Sequence, residues 1–482
     1  MKVLFTHSYF LRFDPKQWET QQPYAPYGTL TAAALVRQQG FEVSFFDVMF
    51  AHGPEDLRPV LKAERPDVLV IYDDGFNYLT KMCLTNMREA AFAMAAMARQ
   101  MGIRVMISSS DSTDHYADYL AHDTDVVLLG EAEYTVLEVL QRWQAGNNDL
   151  QGIAGAAWMQ EGQVANQPRR PVIRNLDELP LPAWDLVNLK PYQIAWQIST
   201  GYFSINIGTT RGCPYKCNWC AKPIYGNRYN ARSPEHVVEE LLLLRTKVKY
   251  DHIWFCDDIF GLKPGWVKRF AELTREHGLR LRFKIQSRAD LLLEDAQIEP
   301  LAEAGCETVW MGAESGSQRI LDAMDKGTTI AQIAQATAQL KKHGIRPAFF
   351  LQFGYPGETM EDIELTLDMV KRLMPEDIGI SVSYPLPGTP FYDRVKAELV
   401  QKANWTDSDE LALMFNNTYP PGFYKQLHRY VHAMYRIQRA RYQQSKDASV
   451  FSLAYLNRMV RIPYYAWQEQ QEYRRLKQVP VS

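Results

Sequence analysis

Cys213-Pro-Tyr-Lys-Cys217-Asn-Trp-Cys220 places three cysteines at C-x3-C-x2-C spacing, just past a short apolar run. Thiolates this close can hold three irons of a [4Fe-4S] cluster and leave the fourth open, whereas a structural cluster is closed by four cysteines. An open iron binds a ligand and therefore does chemistry. A C-x2-C pair by itself also suits zinc, but zinc takes a fourth ligand, and no neighbouring cysteine or histidine offers one. Cys213, Cys217 and Cys220 are accordingly the candidate metal ligands and the candidate catalytic centre.

A loop of this kind needs a scaffold that holds it rigidly. From 201 to about 395 apolar strand-like runs alternate with helical patterns. Strands are expected at Ser204–Gly208, His252–Cys256, Arg282–Gln286, Thr308–Met311, Ala348–Phe353 and Ile378–Ser383. Helices are expected near Pro234–Arg245, Pro264–His277, Ala296–Ala304, Gln318–Met324, Ile330–His343 and Met360–Met374. Strand–helix units in series imply a parallel barrel, complete or partial, whose active groups sit at the C-terminal strand ends. The cysteines follow the first strand, where such groups belong.

Residues 1–145 show the same alternation, with runs at Lys2–Thr6, Glu42–Phe46, Asp67–Tyr72, Arg104–Ile107 and Asp125–Leu129. Helical spacing at Thr29–Gln39, Leu84–Met101 and Tyr134–Trp143 completes a doubly wound parallel sheet, so the fold class is α/β throughout. Ligands of such sheets sit beyond the C-terminal strand ends. Those ends carry His7, Ser8, Asp73, Asp74, Gly75, Ser108, Ser109, Ser110, Gly130 and Glu131. One such loop would be a turn; four in register favour a ligand.

Residues 146–200 begin with short β-like runs that give way to Arg174-Asn-Leu-Asp-Glu-Leu-Pro-Leu-Pro-Ala-Trp184, where the prolines forbid continuous helix or central strand, so the stretch is expected to be a linker. The last region, about 396–482, is rich in Tyr, Arg, Gln and Trp at helical spacing, and is expected to cap the barrel. Trp405, Phe415, Tyr419 and Tyr424 there either line an aromatic pocket or only pack the core.

Composition narrows the setting. Charge is nearly balanced, 53 Lys+Arg against 56 Asp+Glu, which argues against a nucleic-acid partner. No apolar run is long enough to cross a bilayer, and the start of the chain lacks the sections of a signal peptide. Six cysteines, three of them in one short window, are no disulfide framework, so a reducing cytoplasm is expected. Cys83, Cys256 and Cys306 are scattered and read as small buried hydrophobes.

With Trp219 before the last cysteine and the barrel pattern behind it, the motif resembles the radical S-adenosylmethionine (SAM) superfamily. In that family the open iron chelates the amino and carboxylate groups of SAM. One electron then releases a 5′-deoxyadenosyl radical, while the protein positions the parts. The resemblance implies SAM contacts at Trp219 and at successive strand ends: Asp257 and Asp258, Gln286 and Arg288, Glu314 and Ser315, then Gln352 and Gly354. Arg288 would pair with the carboxylate as a bidentate fork. An external flavodoxin- or ferredoxin-like electron donor is implied as well.

A doubly wound domain ahead of such a barrel resembles the cobalamin (B12)-binding subclass, with class B methyltransferase-like members. That subclass implies 1–145 as a Rossmann-like cobalamin domain, 146–200 as linker, 201–395 as a partial (β/α)6 radical SAM barrel and 396–482 as helical cap. The D-x-H-x-x-G signature that supplies a histidine to cobalt is absent, and Ser108-Ser-Ser-Asp-Ser-Thr113 stands where Gly-Gly-x-His is common. His7 is an alternative cobalt ligand or a structural histidine.

The expected reaction is methyl transfer to an unactivated carbon of a small molecule. Radical cyclisation, ring rearrangement or oxidation without methyl transfer is the alternative. A cobalamin or iron–sulfur sensor or carrier is the alternative of another class.

Overall fold

Val68–Tyr72 is apolar at all five positions and buried on both faces, which requires helices above and below it. In the computed structural model, which describes residues 1–76, 84–294, 297–399, 404–408, 410, 413–446 and 453–479, this run is the third strand of a seven-stranded sheet. The strands are β1 (Lys2–Thr6), β2 (Glu42–Phe45), β3 (Val68–Tyr72), β4 (Arg104–Ser108), β5 (Val126–Leu128), β6 (Ala156–Gln160) and β7 (Gln163–Asn166). Their order is β2-β1-β3-β4-β5-β6-β7, and the first five are parallel. This is the flavodoxin-like arrangement, whose order reverses between β1 and β3. Separate apolar cores cover its two faces.

One expectation is corrected here. Residues 146–200 are not linker throughout: β6 and β7 form an antiparallel hairpin that extends the N-terminal sheet. Its turn is Glu161-Gly162, both at positive φ (51° and 78°), the geometry that lets a two-residue connection match strand twist. The helix Lys190–Thr200 follows and stops at Gly201 in the left-handed conformation. The proline-bearing stretch between them lacks strand and α-helix, with one 3-10 turn at Leu176–Glu178. It is anchored by Ala183 N–H to Leu30 O at 3.1 Å and by buried Trp184, whose indole donates to Glu240 Oε1 at 2.9 Å.

The second sheet has six parallel strands in the order β15-β14-β13-β12-β11-β8, an open half-barrel. They are β8 (Ser204–Ile207), β11 (His252–Phe255), β12 (Phe283–Ser287), β13 (Cys306–Glu314), β14 (Arg346–Phe353) and β15 (Asp377–Val382); β9 (Thr210–Arg211) and β10 (Asn230–Ala231) form a small separate hairpin. Residues pointing outward, among them Ile253, Phe283, Val309 and Phe349, are fully buried under the helices. The helices Pro421–Lys446 and Leu453–Gln478 make the C-terminal region, and the first of them joins the barrel core through Phe423, Leu427 and Val431. No described helix is long and apolar enough to cross a membrane. Cys256 and Cys306 are buried, as expected; Cys83 lies outside the described residues.

Candidate active site

The cysteine loop hangs from the β9–β10 hairpin, whose stem closes residues 212–229 into one excursion. Gly212 has φ of 76°, and a Cβ there would strike Arg228 O, so only glycine lets the two arms meet. Cys213, Cys217 and Cys220 are half-buried and unbridged. Burial pushes the Cys220 thiol up to about 11 and raises that of Cys213, so metal loading must release protons.

Between the thiols, Asn218 locks the loop to the barrel. Its N–H donates to Met324 O at 3.0 Å, its amide to Ala323 O and Asp325 Oδ2 at 2.8 Å, and its own Oδ1 accepts from Tyr355 at 2.9 Å. Two cations face Cys217. Arg288 Nη1 lies 3.8 Å from its Sγ and stacks 3.6 Å over the Tyr215 ring, while binding Asp290 and Lys326 O. Lys326 is buried, pairs with Glu314 at 2.7 Å and lies 6.0 Å from the Trp219 ring. Glu314 sits at φ 54°, a left-handed conformation disfavoured for a side-chain-bearing residue, and the bond to Lys326 helps hold it there. Trp219 Nε1 is buried with no hydrogen-bond partner. Lys326 and Tyr215 were missed from sequence, where neither carries a periodic or spacing signal.

The other strand-end residues divide. Asp257 is not open to a ligand: it accepts from Thr209 N–H (2.6 Å), Thr209 Oγ1 (2.5 Å) and Thr210 N–H (2.8 Å), fastening the turn after β8, and burial pushes its carboxyl up to about 7. Asp258, next to it, is exposed on the Cys213 side. Gln286 is half-buried. Ser315 bonds Thr366 at 3.1 Å and Gln352 bonds Ser383 at 2.9 Å. Gly354, at φ 76°, donates to Glu358 and has Tyr424, Leu413 and Asn417 against it, so the C-terminal region closes over this strand end. Trp405, Phe415, Tyr419 and Tyr424 are buried in the core, which answers their two readings in favour of packing.

At the rim of the N-terminal sheet the residues expected to bind a ligand bond mainly to other groups of the protein. His7 Nε2 meets Asp47 at 2.9 Å. Ser8 donates twice to Asp73, and Asp74 accepts from Gly28 and Phe76. Ser109 caps the short helix Ser110–Asp114, directly after Ser108. Gly130 N–H donates to Thr113. Glu131 and Glu133 clamp Arg211 at 2.5 and 2.6 Å, all three nearly inaccessible, with Arg211 over the Tyr225 ring. Arg211 stands two residues before Cys213, so this buried pair ties the rim to the cysteine loop. Tyr225, from the same loop, lies against Gly75.

The sequence profile of the Radical SAM superfamily matches residues 207–370, the segment that holds the thiols and the strand ends around them. The chain carries a radical SAM domain. Over 387 residues it is 29% identical to an uncharacterized methyltransferase of Pyrococcus horikoshii, spanning 79% of this chain and 80% of the relative. It is 27% identical over 422 residues to the anaerobic magnesium-protoporphyrin IX monomethyl ester cyclase of Rubrivivax gelatinosus, spanning 84% and 72%. Its fold matches that of OxsB, a cobalamin-dependent SAM radical enzyme solved with aqua-cobalamin and SAM bound (TM-score 0.72, 16% identity, 98% of this chain and 72% of that one).

Among the described residues no three His, Cys, Asp or Glu side chains converge on a single ion. A [4Fe-4S] cube spreads its thiolates wider than a single ion does. Three thiols on one loop, with Arg288 and Lys326 to balance thiolate charge, fit such a cluster.

Proposed function

We propose that this chain is a cobalamin-dependent radical SAM enzyme that methylates an unactivated carbon of a small molecule. The observation that carries the reading is the thiol loop, pinned by Asn218 to the end of the helix Gln318–Ala323 and to Tyr355 just past β14, with two cations at Cys217. A [4Fe-4S] cluster held by Cys213, Cys217 and Cys220 would supply one-electron cleavage of SAM. Around it, Arg288 and Lys326 would receive the SAM carboxylate, Asp258 the ammonium, and Trp219 Nε1 an acceptor on the ligand. Gln286, Glu314, Ser315, Gln352 and Gly354 would frame the adenosine, with Asp257 holding the turn beneath. A flavodoxin- or ferredoxin-like donor would deliver the electron in a reducing cytoplasm, which suits thiols left unpaired.

For cobalamin, the donor chemistry of the rim fits. Glu133 Oε2 is a buried oxygen with no partner, suited to an amide of the corrin periphery, and Ser8 and Ser108–Ser110 line the same rim. His7, Asp73, Asp74, Gly75, Gly130 and Glu131 complete that rim. When bound, cobalamin would supply a carrier for the methyl group.

Anaerobic reconstitution with iron, sulfide and hydroxocobalamin, followed by product analysis with dithionite and SAM, tests the reading. Methyl transfer yields deoxyadenosine together with S-adenosylhomocysteine. The cyclase relative supports the second reading, radical ring closure, which yields deoxyadenosine alone. A protein that never cleaves SAM would instead be a sensor or carrier.

A further inference from the structure

The concave face of the half-barrel carries groups that the site above leaves unused. Because side chains alternate along a strand, burial of Ile253, Phe283, Ile285, Val309 and Phe349 under the helices turns Trp254, Lys284, Gln286, Trp310 and Phe350 to the inner face. Lys284 Nζ lies 5.5 Å from the Tyr24 ring and 5.4 Å from the Trp254 ring. Among the described residues no carboxylate comes within salt-bridge distance of it; Asp377 acts on it only from farther away. The neighbouring cations all have one: Arg282 and Arg346 share Glu307, Arg288 has Asp290, and Lys326 has Glu314. Burial lowers the Lys284 ammonium to about 8, which still leaves it charged at neutral pH.

Two further observations point to a ligand. Asn206, opposite Trp254 in register and 2% exposed, has an Oδ1 with no partner. Trp310 and Phe350 stack at 4.8 Å and 27°, forming a platform whose Phe350 edge is 36% exposed. Gly379 lies beneath it, where a Cβ would come 3.2 Å from Phe350 and 3.3 Å from Trp310. Trp310 pairs with Gln286, one inward position beyond Lys284 toward the strand ends. On the same strand Arg288, which touches Cys217, is four residues beyond Lys284, about 13 Å at the rise of an extended chain.

We propose that this face is the substrate bed, taking a flat aromatic or conjugated molecule that carries a carboxylate: the acid on Lys284, the ring on Trp310 and Phe350, and the far edge toward the cysteines. The proposal rests on the radical SAM reading above and names its substrate class. A cation among rings with no carboxylate in contact, only Asp377 at longer range, is an incomplete arrangement, and a ligand acid completes it.

Naphthalene-2-carboxylate and its uncharged twin naphthalene-2-carboxamide separate the charge from the ring, and calorimetry on the reconstituted protein reads both. The acid is expected to bind about tenfold tighter than the amide, the range of a charge-assisted hydrogen bond, and to weaken as salt rises. Lys284→Met should bring the acid down to the amide's affinity, and Lys284→Arg should restore the preference. Phe350→Ala should weaken both probes alike. Equal binding of acid and amide to the unaltered protein would overturn the proposal, assigning Lys284 to cation–π packing alone, and this arm needs no variant to fold. An acid preference that survives Lys284→Met would overturn it too. SAM cleavage by the unaltered protein is read separately, so loss of the radical reading and loss of this one are told apart.

Discussion

The barrel mouth and the N-terminal rim both carry buried polar groups but use them differently. At the rim, Ser8 with Asp73, Ser109 with Ser112, and Arg211 between Glu131 and Glu133 answer one another. At the mouth, Trp219 Nε1, Thr328 Oγ1 and Glu358 Oε1 are buried without partners, and Glu314 is held in a strained conformation beside a lysine. Buried polar groups without partners are destabilising unless something else meets them. The contrast teaches that the mouth is built to be completed by a ligand, whereas the rim is first a structural joint, with Glu133 Oε2 its one described opening.

The comparison breaks most decisively at the thiols. Replacing any of Cys213, Cys217 or Cys220 by Ala should remove the cluster's visible absorption and all deoxyadenosine formation while the protein stays folded, because none of the three is a fully buried packing residue. Iron retained at full stoichiometry in such a variant, or turnover by it, would show that the loop is not the metal site.

At the rim the largest effect should be on stability. Arg211→Met leaves Glu131 and Glu133 buried and unpaired, a loss of about 3–5 kcal/mol for a pair broken from one side. Adding Glu131→Gln and Glu133→Gln should recover much of it. Thermal unfolding of the single and triple variants measures this. A single variant as stable as the parent would remove the rim's role as a joint.

Much of this division was legible in sequence, and what was not has a physical reason. The strands were readable because β3 and its neighbours are continuous apolar runs, and the cysteines because their spacing is chemical. The β6–β7 hairpin reads only as short β-like runs, and its joining of the N-terminal sheet was not legible, since its strands are half-exposed and pair with β5 across about 30 residues. Asp257 reads as a ligand-binding acid, yet Thr209 and Thr210 hold it, and they become its neighbours only once β8 and β11 pair. Lys326 and Arg211 matter through partners 12 and about 80 residues away, which no local pattern encodes.

A smaller effect lies in pH dependence, and it belongs to the mouth. Burial pushes Glu358 up to about 8 from an ordinary carboxyl value near 4.5. Between those values the folded chain keeps a proton that the unfolded chain has released, so this group's contribution to stability is full below about 4.5 and declines as pH rises through 8. Glu358→Gln should therefore flatten the fall in denaturant midpoint between pH 5 and 8. An unchanged slope would show that Glu358 is ionised in the folded protein.

The smallest expected change in folding is also the sharpest probe of the contrast. Trp219→Phe removes a buried N–H that has no partner in the protein, so unfolding should change by less than about 1 kcal/mol, since an unpaired donor contributes no internal bond. If that N–H is reserved for SAM, the same substitution should weaken SAM binding about tenfold, as read by calorimetry on the reconstituted protein. The rim offers the control: Ser109→Ala deletes a helix cap and should lower stability by about 1 kcal/mol while leaving SAM affinity alone. Should Trp219→Phe instead lower stability and spare SAM affinity, the mouth would be as self-contained as the rim, and the distinction between the two regions would fall.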